Sequence, residues 1–453
     1  MTKTIIMPQS WIQVEVFYIA RPFCIDTLTV IMVFSLRIGF ITYEYFTAIS
    51  KGNGISTTTA HGGFGFLTMK KCETLASMGH EVHVFMPAPA FDKDKNLSQT
   101  LEINHVNLHL FKTTDFYQNS GLSRIFSQSM EYIKGIRDLT VLLREYPVDI
   151  YQTEEPYIYT LQALKISGNH LLIFQDPLDK VDIEKMNSAL NDYLGIYANN
   201  EEADSMYIKS RRYLGKFGSK INGTFVQKAV KKTLNQLNSD RIFAEAQFIS
   251  SKVSRMYRLP YIPKFLPNPI DFHELPTKDP HPSVVWLNRW DPVKQPQIAL
   301  EIARRLPEID FYFIGKATGY PLYDNIEQLL RRKYERFRNI KLKQFISEEE
   351  KKELLSRSWL LLNTSAREGL PVTFLEAGAH GMSIISSVNP DNYTNMFGGT
   401  FNNIDEAVKC IKKAVTEEWH RSKGKIAYNY IKKIHETRKV MSDHVKIYND
   451  LLS

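Results

Sequence analysis

Two carboxylates, Glu368 and Glu376, stand with seven residues between them in the stretch Thr364–Met382, with Gly369-Leu370-Pro371 directly after the first. Proline is tolerated at the first helical position, so Pro371 predicts a helix start. Gly381 predicts its stop, as a C-terminal glycine commonly does. Free N–H groups and the positive end of the dipole make such a start an anion site. A phosphate could sit there, with Glu368 in the loop and Glu376 on the helix flank accepting hydrogen bonds from hydroxyls on either side. A nucleotide sugar has that layout: ribose, diphosphate, sugar. Taken alone, the spacing is commoner as a helix-start carboxylate and a solvated one, so the surrounding elements decide.

Those elements alternate. Apolar runs at 359–363 and 383–388 flank the helix, which predicts a strand-loop-helix-strand crossover with its loop at the C-terminal edge of a sheet, where open α/β sheets bind ligands. Upstream, 284–288 reads as a strand with Arg289 at its end and Lys294 opening a helix over 297–306. Further strands are expected at 310–314 and 340–345, and Ser347 caps a helix running through Ser356. In the first half, a strand at 36–42 leads through a Gly/Ser/Thr loop to His61-Gly62-Gly63-Phe64-Gly65. A helix over 67–78 and a strand over 81–86 follow. Glycines at such a place let backbone approach a ligand closely. A dinucleotide fingerprint is absent, and no acid ends the next strand to hold a ribose. Strands at 148–151 and 171–174 end at Glu154-Glu155-Pro156 and Gln175-Asp176-Pro177, and both ends should face one cleft. Residues 241–250 read as a return to strand.

Length allows two α/β domains in 453 residues. Hydrophobic content of 43% and charged content of 23% are those of ordinary globular chains. The net charge of +8 suits anionic partners without choosing among them. Cys24, Cys72 and Cys410 are sparse and lack metal-like spacing, which points to a reducing compartment. Residues 1–31 read as an extension, disordered or membrane-touching, or as preceding a true start at Met32; their apolar run is too short to span a bilayer. Asp92-Lys93-Asp94 has the form of a metal motif but lies in a solvated charge run. Residues 180–240 are helical and basic (Lys209, Arg211, Arg212, Lys216, Lys220, Lys228, Lys231, Lys232), either a solvated face or a patch for anionic lipid. Pro267-Asn268-Pro269-Ile270-Asp271 and the Pro-rich stretch to Pro282 read as a linker.

Together, the glycine loop, the linker, Arg289 and Lys294, Ser347-Glu348-Glu349-Glu350, and Glu368 with Glu376 resemble the retaining GT-B glycosyltransferases of family 4, the glycosyl transferases group 1. The likeness runs from about Leu36 and is strongest over 268–401. It implies two Rossmann-like doubly wound parallel-sheet domains facing across a cleft. These would be an acceptor-side domain over 32–265 carrying the basic insert 180–240, a donor-binding domain over 266–430, and a C-terminal helix over 431–453 crossing back. It implies that Arg289 and Lys294 grip the diphosphate and Glu376 the ribose. Glu368 and the Gly369-Leu370-Pro371 backbone would hold the sugar, with Gly62 and Gly63 approaching from the other domain. Glu368, Arg289 and Lys294 are then the catalytic candidates.

The chemistry agrees. Breaking a sugar–phosphate bond leaves charge on the diphosphate, and one opposite charge at ~4 Å is worth roughly 4 kcal/mol at an effective dielectric of ~20. Two cations can therefore replace a metal, and no metal or cofactor is expected. Members of the family often carry a histidine at strand ends of the first domain; here Glu154 and Gln175-Asp176 stand there, leaving no obvious base and no assigned nucleophile. The expected partners are a nucleotide sugar and an unidentified acceptor (glycan, lipid or small molecule), with no nucleic acid. The expected location is the cytoplasm, with the basic stretch as a contact to the inner membrane face. The rival readings are a nucleotide-sugar epimerase or phosphorylase of the same fold, and a non-catalytic basic protein binding nucleic acid or membrane.

Overall fold

Short apolar runs, most of them buried on both faces as parallel strands require, build two sheets in a computed structural model. It describes residues 12–15, 31–42, 63–87, 100–111, 135–156, 162, 169–198, 230–231, 234–235, 237–317 and 321–453. Gly62, Cys24, Asp92–Asp94 and the basic residues between 199 and 229 lie outside the described residues. Strands β1 (Ile12–Glu15) and β2 (Ile31–Phe34) form a separate antiparallel pair.

The first sheet contains β3 (Arg37–Ile41), β4 (Glu81–Pro87), β5 (Thr100–Ile103), β6 (Val106–Phe111), β7 (Ile150–Glu154), β8 (His170–Phe174), β9 (Ile242–Ala244) and β10 (Lys264–Phe265). Their order is β10-β9-β8-β7-β3-β4-β6-β5, and β5 alone runs antiparallel to its neighbour. Helices α1 (Gly63–Ser77), α2 (135–145), α3 (Lys180–Ala198) and α4 (Gln247–Tyr257) belong to this half. The second sheet is wholly parallel: β11 (Ser283–Leu287), β12 (Asp310–Ile314), β13 (Ile340–Lys343), β14 (Leu360–Asn363), β15 (Ser383–Ser386) and β16 (Gly398–Thr400), in the order β13-β12-β11-β14-β15-β16. Its helices are α5 (Pro296–Arg304), α6 (Pro321–Tyr334), α7 (Glu348–Arg357), α8 (Val372–Ala379), α9 (Tyr393–Phe397), α10 (Ile404–Thr416) and α11 (Trp419–His435), and α12 (Thr437–Leu452) ends the chain.

Two local readings change, and a third holds. The strand expected over 241–250 is only the three residues of β9; Gln247 already opens α4. That helix takes its cap from far away, because the Asp391 carboxylate accepts the N–H groups of Gln247 (2.8 Å) and Phe248 (2.7 Å). Pro371 is not the first helical residue but the flanking one, with extended backbone (ψ 128°), so α8 starts at Val372. Ser347 caps α7 as expected, in a reciprocal box with Glu350.

The chain passes between the halves near 265–271 and again near 435–437, and the two passages are bonded to each other. Ile270 N–H donates to His435 O (2.7 Å), and Thr437 N–H donates to Ile270 O (3.2 Å). Beyond this point α12 buries Val440, Met441 and Tyr448 in the core of the first sheet. Among the described residues, no helix is long and apolar enough to cross a membrane.

Candidate active site

In the second sheet β11 and β14 are neighbours whose onward connections run in opposite directions. A crevice opens beyond such a pair at the carboxyl ends of the strands. Asp291, just past β11, organises one side of it. One oxygen accepts the Lys294 N–H (3.0 Å), and the other pairs with Arg289 Nε (3.1 Å). The two strand-end loops are joined directly, since Ala366 N–H donates to Val293 O (2.8 Å) and the Thr364 hydroxyl to Lys294 O (2.8 Å). Behind them Gly315 (φ 134°) packs on the Asn288 carbonyl, where any Cβ would collide with backbone.

This frame brings Lys294 Nζ to 2.6 Å from Glu368 Oε1, which also accepts from Ser365 Oγ (2.6 Å) and Asn363 Nδ2 (3.1 Å). Burial alone would raise the Glu368 carboxyl, but Lys294 and these donors outweigh it and hold it below the ordinary carboxylate range. Glu368 is therefore an ionised acceptor. Arg289 keeps 42% of its side chain exposed and can turn toward a ligand.

Gly369-Leu370-Pro371 lead from Glu368 into α8, whose N-terminus has no side-chain cap. Its first N–H groups lack intrahelical partners and suit an anion. Glu376, one turn on, does not join the Lys294–Glu368 pair. It binds Lys351 of α7 at 2.9 Å, and Lys351 also lies 2.8 Å from Glu348 and 4.9 Å above the Phe66 ring of α1. Gly63 opens α1 against Val372, the first residue of α8; a Cβ there would lie 2.6 Å from the valine. Sequence spacing placed Glu376 on the helix flank but carried no signal for Lys351.

The first sheet supplies the opposite wall. Glu154, at the end of β7, is fully buried and accepts from Lys71 Nζ (2.5 Å), Thr68 Oγ1 (3.0 Å), Gln152 Nε2 (3.0 Å) and Gln175 Nε2 (2.6 Å). Glu155 follows in left-handed backbone (φ 68°) and accepts the N–H groups of Gln175 and Asp176. Burial pushes its carboxyl up to about 8, against those two donors. Gln175–Asp176 in turn meets the Glu368 loop: Arg367 makes a two-pronged ion pair with Asp176, and Gly369 packs on the Gln175 carbonyl. Arg367, Asn363 and Ser365 carried no separate signal in the sequence; only the polar run after β14 hinted at them.

Residues 268–429 match the family model described as glycosyl transferases group 1. No curated protein matches the chain. Among solved structures, sucrose-phosphate synthase from Thermosynechococcus elongatus superposes with a TM-score of 0.65 at 13% identity, covering 92% of this chain and 99% of that one. The Anabaena protein HepE in complex with UDP-glucose gives 0.57 at 12% identity over 92% and 100%. The α,α-trehalose 6-phosphate synthase of Burkholderia multivorans gives 0.60 at 11% identity over 92% and 99%. With the two parallel sheets described above, these likenesses define a GT-B fold: two Rossmann-like domains facing across a cleft.

Proposed function

We propose that this chain is a family 4 glycosyltransferase. It moves a sugar from a nucleotide-sugar donor to an acceptor lying against the first domain, with retention at the anomeric carbon and without a metal ion. The observation that carries this reading is the Lys294–Glu368 pair, set beside Arg289 at the switch point of the second sheet and just ahead of the uncapped start of α8. The family match over 268–429 covers this whole constellation, and the UDP-glucose complex of HepE supports a nucleotide-sugar donor.

Each group then has a task. As the bond from the anomeric carbon to phosphate breaks, its electrons pass to the diphosphate. Arg289 and Lys294 stabilise that growing charge, Arg289 with a planar fork and Lys294 as a point charge. Together they supply the charge that a divalent ion would otherwise bring. Glu376 accepts from the ribose hydroxyls, with Lys351 paired beside it. Glu368 and the Gly369-Leu370-Pro371 backbone take the sugar, while Gly63 approaches from the first domain. The acceptor lies against the strand ends at Glu154 and Gln175-Asp176, where members of the family often carry a histidine.

The test is nucleotide release from a panel of UDP-, GDP- and ADP-sugars offered with glycan, lipid and small-molecule acceptors. One donor should be consumed, and replacing Arg289 and Lys294 together by Ala should abolish that consumption. Transfer that survives the double substitution would remove the mechanism.

A further inference from the structure

The geometry points to Arg367 and Asp176 as a positioning pair, an ion pair between the domains that seats the loop carrying Glu368 and so makes sugar transfer depend on the first domain closing on the second. This deepens the preceding reading and rests on it. Arg367 directly precedes Glu368 and is 7% exposed. Both its terminal nitrogens donate to the carboxylate of Asp176, 191 residues away and in the other domain. Its Nε lies 3.6 Å from Asp182, which Lys252 holds in place. With its guanidinium engaged by first-domain carboxylates, Arg367 acts through its neighbour and not on the donor.

The same loop is gripped again within three residues. Gly369 is so close to the first domain that a Cβ would lie 2.7 Å from Gln175 O and 3.1 Å from Asp176 Oδ1. Leu370 N–H points at the buried carboxylate of Glu245 (3.4 Å), which Asn268 of the crossover segment also donates to. On the receiving side, Glu155 holds Gln175 and Asp176 by their N–H groups from a left-handed conformation that is costly for a glutamate. Residues 367, 369 and 370 therefore all take their places from the first domain, and Glu368 sits between them. Separating the domains would release the loop from all three contacts at once. Closure that assembles a site in this way is a recognised means of committing a substrate.

The experiment uses the full chain with Asp176→Asn, Arg367→Lys and the double variant Asp176→Asn/Arg367→Gln. Hydrogen exchange read by mass spectrometry should show peptides over 366–371 exchanging about tenfold faster in Asp176→Asn, with β15 unchanged. With the donor the wild type consumes, kcat should fall about tenfold while affinity for the corresponding nucleoside diphosphate stays within about threefold. Arg367→Lys keeps the charge and loses the fork, so it should show the same pattern at smaller size. The double variant should lose no more than the worse single one. Unchanged exchange in Asp176→Asn, losses that multiply in the double variant, or a fall in diphosphate affinity matching that in kcat would each overturn the inference. A wild type that consumes no nucleotide sugar defeats the functional reading instead, and the exchange measurement still decides whether the pair seats the loop.

Discussion

The two domains each place a lysine and a glutamate at their switch point, and the pairs have opposite characters. In the first, Lys71 of α1 meets Glu154 at the end of β7 at 2.5 Å, with 1% and 0% of the side chains exposed. In the second, Lys294 ahead of α5 meets Glu368 beyond β14 at 2.6 Å, with 16% and 9% exposed. The chemistry and the place in the topology match; access to the cleft differs. Around Glu154, Thr68, Gln152 and Gln175 fill the remaining acceptor sites, so the pair is sealed. Lys294 lies at the tip of a turn beside the partly exposed Arg289, where a phosphate could draw it off and leave Glu368 to accept from hydroxyls. A shared motif of charges is thus sealed on one side and open toward the cleft on the other, and solvent access separates the two.

The sharpest way to break this contrast is Lys71→Met. Stranding a buried charge costs about 3–5 kcal/mol, whereas replacing both partners by apolar residues is often neutral. Urea denaturation should show that loss for Lys71→Met and recovery of most of it in Lys71→Met/Glu154→Leu. A single variant as stable as wild type would mean the pair is not sealed. Lys294→Ala should weigh the other way: its stability loss should be clearly smaller than that of Lys71→Met, because the pair reaches solvent, while kcat falls about 10²–10³-fold, the usual cost of removing one transition-state charge partner. Comparable stability losses in the two variants would erase the distinction.

Next in size is Lys351→Met. It should weaken nucleoside diphosphate binding about tenfold, ~1.4 kcal/mol, in a calorimeter, because Glu376 then accepts from the ribose with no neighbouring cation. Unaltered affinity would detach Lys351 from the donor site. The contrast also predicts a pH dependence with opposite signs in the two domains. Glu155 titrates near 8 when folded, above the ordinary carboxylate value. Its stabilising contribution is therefore present at acid pH and is lost as pH rises toward 8. Glu368 is depressed, so its contribution is present at neutral pH and is lost as pH falls through the acid range. Glu155→Gln should flatten the decline of thermal stability between about pH 5 and 8 and leave the acid limb alone; an unchanged slope would place the proton elsewhere.

Alternation of apolar runs and breakers was enough to read the central strands of both sheets, because a parallel strand buried on both faces leaves little choice of residue and each run is local, but not the short edge strands β5, β10 and β16. The places of Arg289, Lys294 and Glu368 were legible for a related reason: strand ends mark the ligand edge of such a sheet, and all three follow β11 or β14 within seven residues. The failure over 241–250 was long-range in cause. The run over 241–250 was apolar enough for a strand, but Asp391 from the other half caps it as a helix. What remained beyond the sequence was the partner of each charge. Spacing assigns a residue to an edge or a flank, but it does not say that Lys351 faces Glu376, that Arg367 reaches Asp176, or that Glu154 is closed over while Glu368 is not. Those pairings depend on how two sheets and a returning helix pack together, and burial, which separates a structural ion pair from a reactive one, exists only after that packing is complete.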